Sequence, residues 1–157
     1  MDFKTNAMRI LDQKKIEYIS RTINSDEAVS GTEMAERLGE DPARVFKTLV
    51  TVGKSKRNYV FMIPVAEELD LKKAAVAAKE KSIEMIKSKE LLPLTGYVHG
   101  GCSPIGMKKQ FSTFIHLTAQ DFDKIIFSAG KIGWQIETSA KNLRTIVNFE
   151  FADIICK

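Results

Sequence analysis

The segment Thr95-Gly96-Tyr97-Val98-His99-Gly100-Gly101-Cys102-Ser103-Pro104-Ile105-Gly106-Met107-Lys108-Lys109 limits what this chain can fold into more than any other. Four of the nine glycines, one of the four prolines, one of the two cysteines and one of the two histidines lie in it. A regular helix or strand cannot run through so many breakers, so the regular elements are organised around it. Gly100, Gly101 and Gly106 lack the Cβ atoms that keep a backbone away from a ligand, and Pro104 fixes φ and withdraws a donor. This predicts a stiff loop with exposed amides, suited to the floor of a small-molecule site. A tight strand-to-strand connection has the same composition and stays open as an alternative.

The remaining totals narrow the class. A chain of 157 residues is long enough for one well-buried core, which predicts a single domain over 1–157. Apolar residues at 44% and charged residues at 28% exclude fibrous and disordered compositions. No apolar run approaches the roughly 20 residues that span a bilayer, and Met1 to Asn6 lacks a secretory leader, so a cytoplasmic protein without membrane attachment is expected. Cys102 and Cys156 lie far apart and there is no CxxC, so neither a disulfide nor a metal site is expected. The net charge of +4 favours a polyanionic partner only weakly. Basic clusters recur at Lys14-Lys15, Lys54 to Arg57, Lys72-Lys73 and Lys108-Lys109.

Periodicity assigns the elements. Ala7, Met8, Ile10 and Leu11 recur at helical spacing behind Asn6, read as an N-cap; Tyr18 to Ile23 reads as a strand that ends in the turn Asn24-Ser25-Asp26. Ser30-Gly31-Thr32-Glu33 has the capping-box form and Gly39 stops the helix it starts. Asp41-Pro42 opens a short helix to about Phe46. Val45 to Val52 and Tyr59 to Val65 form a hairpin with a basic loop. Helices are predicted from Asp70 to Ala77, at Ser88 to Leu92 where Pro93 ends the turn, and from Ala140 to Val147 behind Ser139. Strands are predicted at Ile83–Ile86, Phe114–Leu117, Ile125–Gly130, Trp134–Thr138 and Phe149–Ile155. The interleaving implies an α+β fold, a mixed, curved and partly barrel-like sheet with peripheral helices.

Few residues offer chemistry. His99-Gly100-Gly101-Cys102 raises a Cys/His nucleophile, but a thiolate needs an activating partner that spacing alone cannot supply. His116, inside an apolar strand, reads as a satisfied sheet residue. Gly-x-Ser-x-Gly, His-Glu-x-x-His and Walker A patterns are absent. Lys47 stands at the mouth of an apolar strand, either snorkelling to solvent or presenting an ammonium to phosphate or a developing oxyanion. Lys47, the loop, and Ser128 with Gly130 are the parts of a site that binds and polarises a carbonyl without a strong base.

Taken together, Val45-Phe46-Lys47-Thr48-Leu49, Pro64-Val65, Leu69 to Lys73, Gly96-Tyr97 through Lys108-Lys109 with its Gly-x-x-x-Pro core, Ser128 to Lys131 and Phe151 to Ile154 resemble the YbaK/EbsC family. That family shares its fold with the editing insertion domain of bacterial prolyl-tRNA synthetases. The resemblance covers nearly the whole chain. It implies an aminoacyl-tRNA deacylase acting in trans, with cysteine on proline tRNA as the typical substrate, no cofactor, no metal, and prolyl-tRNA synthetase as a possible partner. It also implies that Lys47 holds the terminal adenosine or the ester, that Tyr18, Thr22, Gly100, Gly101, Cys102, Ser103, Pro104 and Gly106 seat the aminoacyl end, and that Ser128 with Gly130 forms the opposite wall. Lys108, Lys109 and Lys131 become RNA contacts.

In cysteine-specific members the substrate's own thiol attacks its carbonyl; alanine-specific members position a water. The chain departs from the family pattern at Ile23 and Ser25, at Ile132 and Gln135, and at Cys102, which replaces an aliphatic residue. The departures leave the edited amino acid open. They also leave open an alanine-type hydrolase, or a binding module that keeps the pocket without turnover.

Overall fold

The β-branched and aromatic runs form eight strands in the computed structural model, which describes residues 4–25 and 27–156. Met1 to Phe3, in the segment where no secretory leader is expected, and Asp26 of the predicted turn lie outside the described residues. A three-stranded sheet contains β1 (Ile19–Thr22), β7 (Trp134–Thr138) and β6 (Ile125–Lys131), in that order. A five-stranded sheet runs β4 (Ile83–Met85), β2 (Phe46–Gly53), β3 (Asn58–Pro64), β5 (Ser112–His116), β8 (Phe149–Ala152). Pairing is antiparallel except for β3 with β5 and β5 with β8, which makes the larger sheet mixed, as expected. The strands form two open sheets and do not close into a barrel; the β-bridge between the sheets among the described residues is the parallel pair Val45–Ile126.

Local chemistry sets the helix ends. Thr5, not Asn6, caps α1 (Asn6–Gln13), its hydroxyl accepting from the Met8 amide at 3.2 Å. Ser30 caps α2 (Gly31–Leu38) by accepting from the Glu33 amide, and Gly39 closes it at φ 70°. Behind Asp41 the chain makes only a 3-10 turn, Pro42–Arg44, because the β2 run begins at once. The hairpin and α3 (Leu71–Ala78) form as predicted. Pro93 does not stop α4, which spans Ser88–Thr95. The one amide that proline lacks falls opposite solvent-exposed Lys89, while Thr95 Oγ1 and the Gly96 amide donate to the carbonyls of Leu91 and Leu92. Helix α5 is shorter than predicted, Ala140–Arg144, and ends in turns that lead to Val147.

Strand alternation distributes the core. Phe46, Met62, Ile115 and Phe149 of the large sheet meet Ile125, Phe127 and Ile136 of the small one under α1. On the other face Tyr59, Phe61 and Ile63 pack on Ala74 and Ala75 of α3. Val50 and Val60 pack against Tyr97 and Cys102 of the glycine-rich loop.

Just before the inter-sheet bridge lies a closed ring of charges. Arg21 of β1 donates to Glu40 at 2.8 Å and to Glu137 of β7 at 2.7 Å; Arg44 donates to the same carboxylates at 3.1 and 2.8 Å and to the Lys124 carbonyl at 2.9 Å. The ring thus ties the segment entering β2 to both neighbours of the gap between the sheets. Arg21 holds the Glu40 carboxyl below its ordinary value. At Glu137 burial pushes upward, but the bonds from Arg44 and Arg21 outweigh it and the net shift is downward.

A depressed folded-state pKa stabilises the fold above the unfolded carboxylate value, and this contribution is lost as pH falls from about 4.5 through the folded value. Glu137→Gln should lower stability at pH 7 by about 2 kcal/mol, since two part-buried guanidinium groups lose a partner, and should flatten the acid limb of the stability curve. Urea unfolding of both proteins between pH 7 and pH 3 checks this; parallel acid limbs would contradict it.

Candidate active site

Val45 and Ile126 are bridged in parallel, and beyond them β2 and β6 separate. Lys47 and Ser128 each stand two residues past that joint, so strand direction alone places them at the same level on opposite sides of the gap. A cavity of about 320 Å³ opens there, lined by Lys47, Thr48, Ser128 and Gln135 from the strands, His99, Gly100 and Cys102 from the loop, Ser30, Gly31 and Met34 at the start of α2, and Leu91 of α4. Along Phe46 to Leu49, β2 is paired with β3 on one side only, because β4 joins its other edge at Thr51–Gly53. The cavity therefore meets an open strand edge as well as side chains.

The polar groups in it have defined capacities. A bulge between Ser128 and Lys131 lets the Gly130 amide donate to Ser128 Oγ at 3.1 Å, so the Ser128 hydroxyl hydrogen is left to donate elsewhere. Gln135 pairs with Ser128 across β6 and β7 and is 5% exposed. Thr48 Oγ1 is buried with no hydrogen-bond partner among the described residues, an unmet polar atom at the edge of the cavity. Gly100 adopts φ +84°, and a Cβ there would sit 2.5 Å from that of Ala28. Only glycine brings the loop this close.

Cys102 is buried, and burial, offset in part by Thr95, pushes its thiol up to about 12. It remains protonated at neutral pH, and no hydrogen bond joins it to His99 among the described residues, so the Cys/His nucleophile suggested by spacing lacks its activation. His116 accepts from the Ile154 amide at 3.3 Å, as a satisfied sheet residue does. No three His, Cys, Asp or Glu side chains among the described residues gather as metal ligands, and no described helix is long and apolar enough to cross a membrane.

The remaining predicted site residues are dispersed. Gly101 packs on the Lys131–Ile132 backbone, and Ser103 is fully buried, its Oγ accepting from the Ile105 amide. Gly130, at φ +99°, packs on the Tyr97 ring. These three support the walls instead of lining the cavity. Pro104, Gly106 and Lys109 border a different cleft beside Ile10 and Val147. Tyr18 lines a groove with Lys4 and Asp12, and Thr22 is exposed on β1 opposite Trp134. Lys108 lies along Gly96, and the Lys131 ammonium is 5.5 Å from the Trp134 ring centroid. Conversely, Ser30, Gly31, Met34, Thr48 and Leu91 reach the cavity but read in the sequence only as caps or core. The adjacency of Thr48 to Lys47 was the one available signal.

Two outcomes follow from this geometry. Iodoacetamide at pH 8 should label exposed Cys156 and spare Cys102 in the folded protein, as peptide mass spectrometry would read; equal labelling would refute the protonated, enclosed thiol. Gly130→Ala should cost about 2 kcal/mol in chemical unfolding, because its Cβ would meet Tyr97 Cε1 at 2.8 Å with φ in the left-handed region.

Comparison with known proteins agrees with this architecture. The family model described as "Aminoacyl-tRNA editing domain" matches residues 26–146. A protein of Enterococcus faecalis (strain ATCC 700802 / V583), described as a candidate Cys-tRNA(Pro)/Cys-tRNA(Cys) deacylase, EbsC, is 47% identical over 155 residues, covering 98% of this chain and 94% of that protein. The crystal structure of a candidate trans-editing enzyme for prolyl tRNA synthetase superposes with a TM-score of 0.85 at 19% identity, covering 99% of this chain and 100% of the other. That of hypothetical protein APE2540 gives 0.84 at 18% identity over 94% and 97%. At such identities the two structures speak for the fold, and the family match and the Enterococcus relative speak for descent. The chain belongs to the aminoacyl-tRNA editing domain family.

Proposed function

We propose that this chain, as one editing domain, removes cysteine from mischarged Cys-tRNA(Pro) in trans. The observation that carries the reading is that Lys47 and Ser128, a cation and a hydroxyl donor, line one cavity together with Cys102, whose thiol burial holds protonated. Such a site can bind and polarise an ester but brings no activated cysteine of its own. A volume of about 320 Å³ is large enough to hold an aminoacyl group. The 47% identical relative, described as a candidate deacylase for cysteinyl-tRNA, supports the same substrate.

In this reading Lys47 anchors the phosphate or the ester oxygen at the terminal adenosine. The substrate thiol loses its proton and its sulfur attacks the carbonyl carbon; the C–O bond to the ribose breaks, the ribose oxygen takes a proton, and a cyclic thioester leaves. The Gly100 region and the Ser128 hydroxyl hold the carbonyl during this step, and Thr48 and Gln135 border the aminoacyl end.

Lys47→Ala should slow release of labelled cysteine from mischarged proline tRNA by about 10²-fold, the scale expected when one charge-stabilising group is removed. Equal release by wild type and variant would sink the proposal. Running alanine-charged and cysteine-charged tRNA side by side separates the thiol route from a positioned water, since only the first requires a sulfur in the substrate.

A further inference from the structure

Outside the cavity, a cluster of basic residues lies at the tip of the β2–β3 hairpin and on the strand and helix that follow it. Lys54, Lys56 and Arg57 occupy the tip, Lys81 precedes β4, and Lys87 and Lys89 begin α4; all are exposed. None of the five lysine ammonium groups has a hydrogen bond or ion pair among the described residues.

Topology puts these residues on one line. From Lys47 in the cavity, β2 runs six residues to Gly53, about 20 Å at roughly 3.3 Å per residue. The Lys54 amide donates to the Ser82 carbonyl, which brings Lys81 to the tip, and β4 then runs back antiparallel with Ile83 opposite Gly53 and Met85 opposite Thr51. The Ile86 amide bonds Val50, and Lys87 stands one helical turn before Leu91, which lines the cavity. The basic groups thus mark a path from the hairpin tip to the cavity mouth.

Side-chain hydrogen bonds brace the tip. Glu80 accepts from the Ser55 amide at 3.1 Å, the Ser55 hydroxyl at 2.5 Å and the Tyr59 hydroxyl at 2.6 Å. Lys56 at the tip has φ 77°, in the left-handed region that Lys79 (φ 59°) and Lys15 (φ 57°) also adopt and that favours glycine or asparagine.

We infer that this edge of the large sheet is the docking track for the phosphate backbone of a tRNA whose aminoacylated 3′ end lies in the cavity. The inference rests on the reading of the cavity as an editing site. A stacked strand rises about 3.4 Å per nucleotide, so the length of β2 matches the unpaired 3′ end and the first pairs of the acceptor stem. Glu84, an exposed carboxylate on the same path, opposes binding.

The test is binding of fluorescently labelled, uncharged proline tRNA, read by anisotropy at graded salt, which needs no ester cleavage and so fails separately from the deacylase reading. A fourfold variant, Lys54→Gln, Lys56→Gly, Lys87→Gln and Lys89→Gln, should bind on the order of 10²-fold more weakly at 0.1 M salt, with the log–log salt slope reduced by about 3. Lys56→Gly alone should weaken binding about fivefold while its melting temperature holds or rises, because glycine relieves the left-handed strain; a purely structural Lys56 would leave the affinity unchanged. Glu84→Gln should tighten binding. The track is overturned if the fourfold variant binds like wild type, if Lys14→Gln with Lys15→Gln at the end of α1 loses as much, or if the wild-type protein does not retain tRNA. An unchanged tRNA affinity in the variants alongside loss of binding to an acidic protein partner would assign the surface to that partner and overturn it equally.

Discussion

The site depends on where backbone pairing between the two sheets ends. Val45 and Ile126 form their one bridge, and the Arg21, Arg44, Glu40 and Glu137 ring clamps the chain immediately before it. Desolvation of these part-buried groups offsets much of their mutual attraction, so the ring is not the main source of stability. Apolar burial is, at roughly 25 cal/mol per Å², through the cluster that includes Phe46, Phe127 and Phe149. What the ring supplies is position. Four hydrogen-bonded charges on β1, β7 and the entry to β2 tolerate one arrangement, and that arrangement fixes the separation of the strands two residues later, where Lys47 and Ser128 face the cavity.

Behind this junction the glycine-rich loop has a role different from the one its composition first suggests. Its cysteine and histidine are the eye-catching residues, yet burial pushes Cys102 up to about 12 and packs it with Tyr97, Val50 and Val60. The conformational demands are met elsewhere, by Gly100 against Ala28 and by Gly130 against the Tyr97 ring. The loop closes the cavity and turns only part of its length toward it; Ser103 is wholly internal, and Pro104 and Gly106 belong to another cleft. The cavity formed in this way offers donors and a cation but no activated thiol of its own.

Much of the fold was legible because short-range rules decide it. Ser30, Asp41, Asp70 and Ser139 cap where their side chains can accept from the next turn, and the hairpin of Phe46–Gly53 with Asn58–Pro64 follows from alternation and a polar turn. The misreadings arose where tertiary context overrode a local preference. Pro93 sits inside α4 because its missing bond faces solvent, and Thr5 displaced Asn6 as the cap of α1. The division into two sheets was invisible, since no local pattern says whether β2 and β6 pair along their length or at one residue.

By itself the sequence determined the α+β class, the element order, Lys47 as the unusual cation of an apolar strand and the glycine-rich loop as the break around which the strands gather. Spacing and propensity carry that information within a few residues of each position. Only the tertiary structure decided that Lys47, Ser128, Gln135 and Gly100 share one cavity while Tyr18, Thr22, Pro104 and Gly106 do not, and that Thr48 leaves an unmatched hydroxyl there. Those groupings depend on contacts between strands far apart in the chain, where the single Val45–Ile126 bridge and the charge ring set a separation that no local rule encodes.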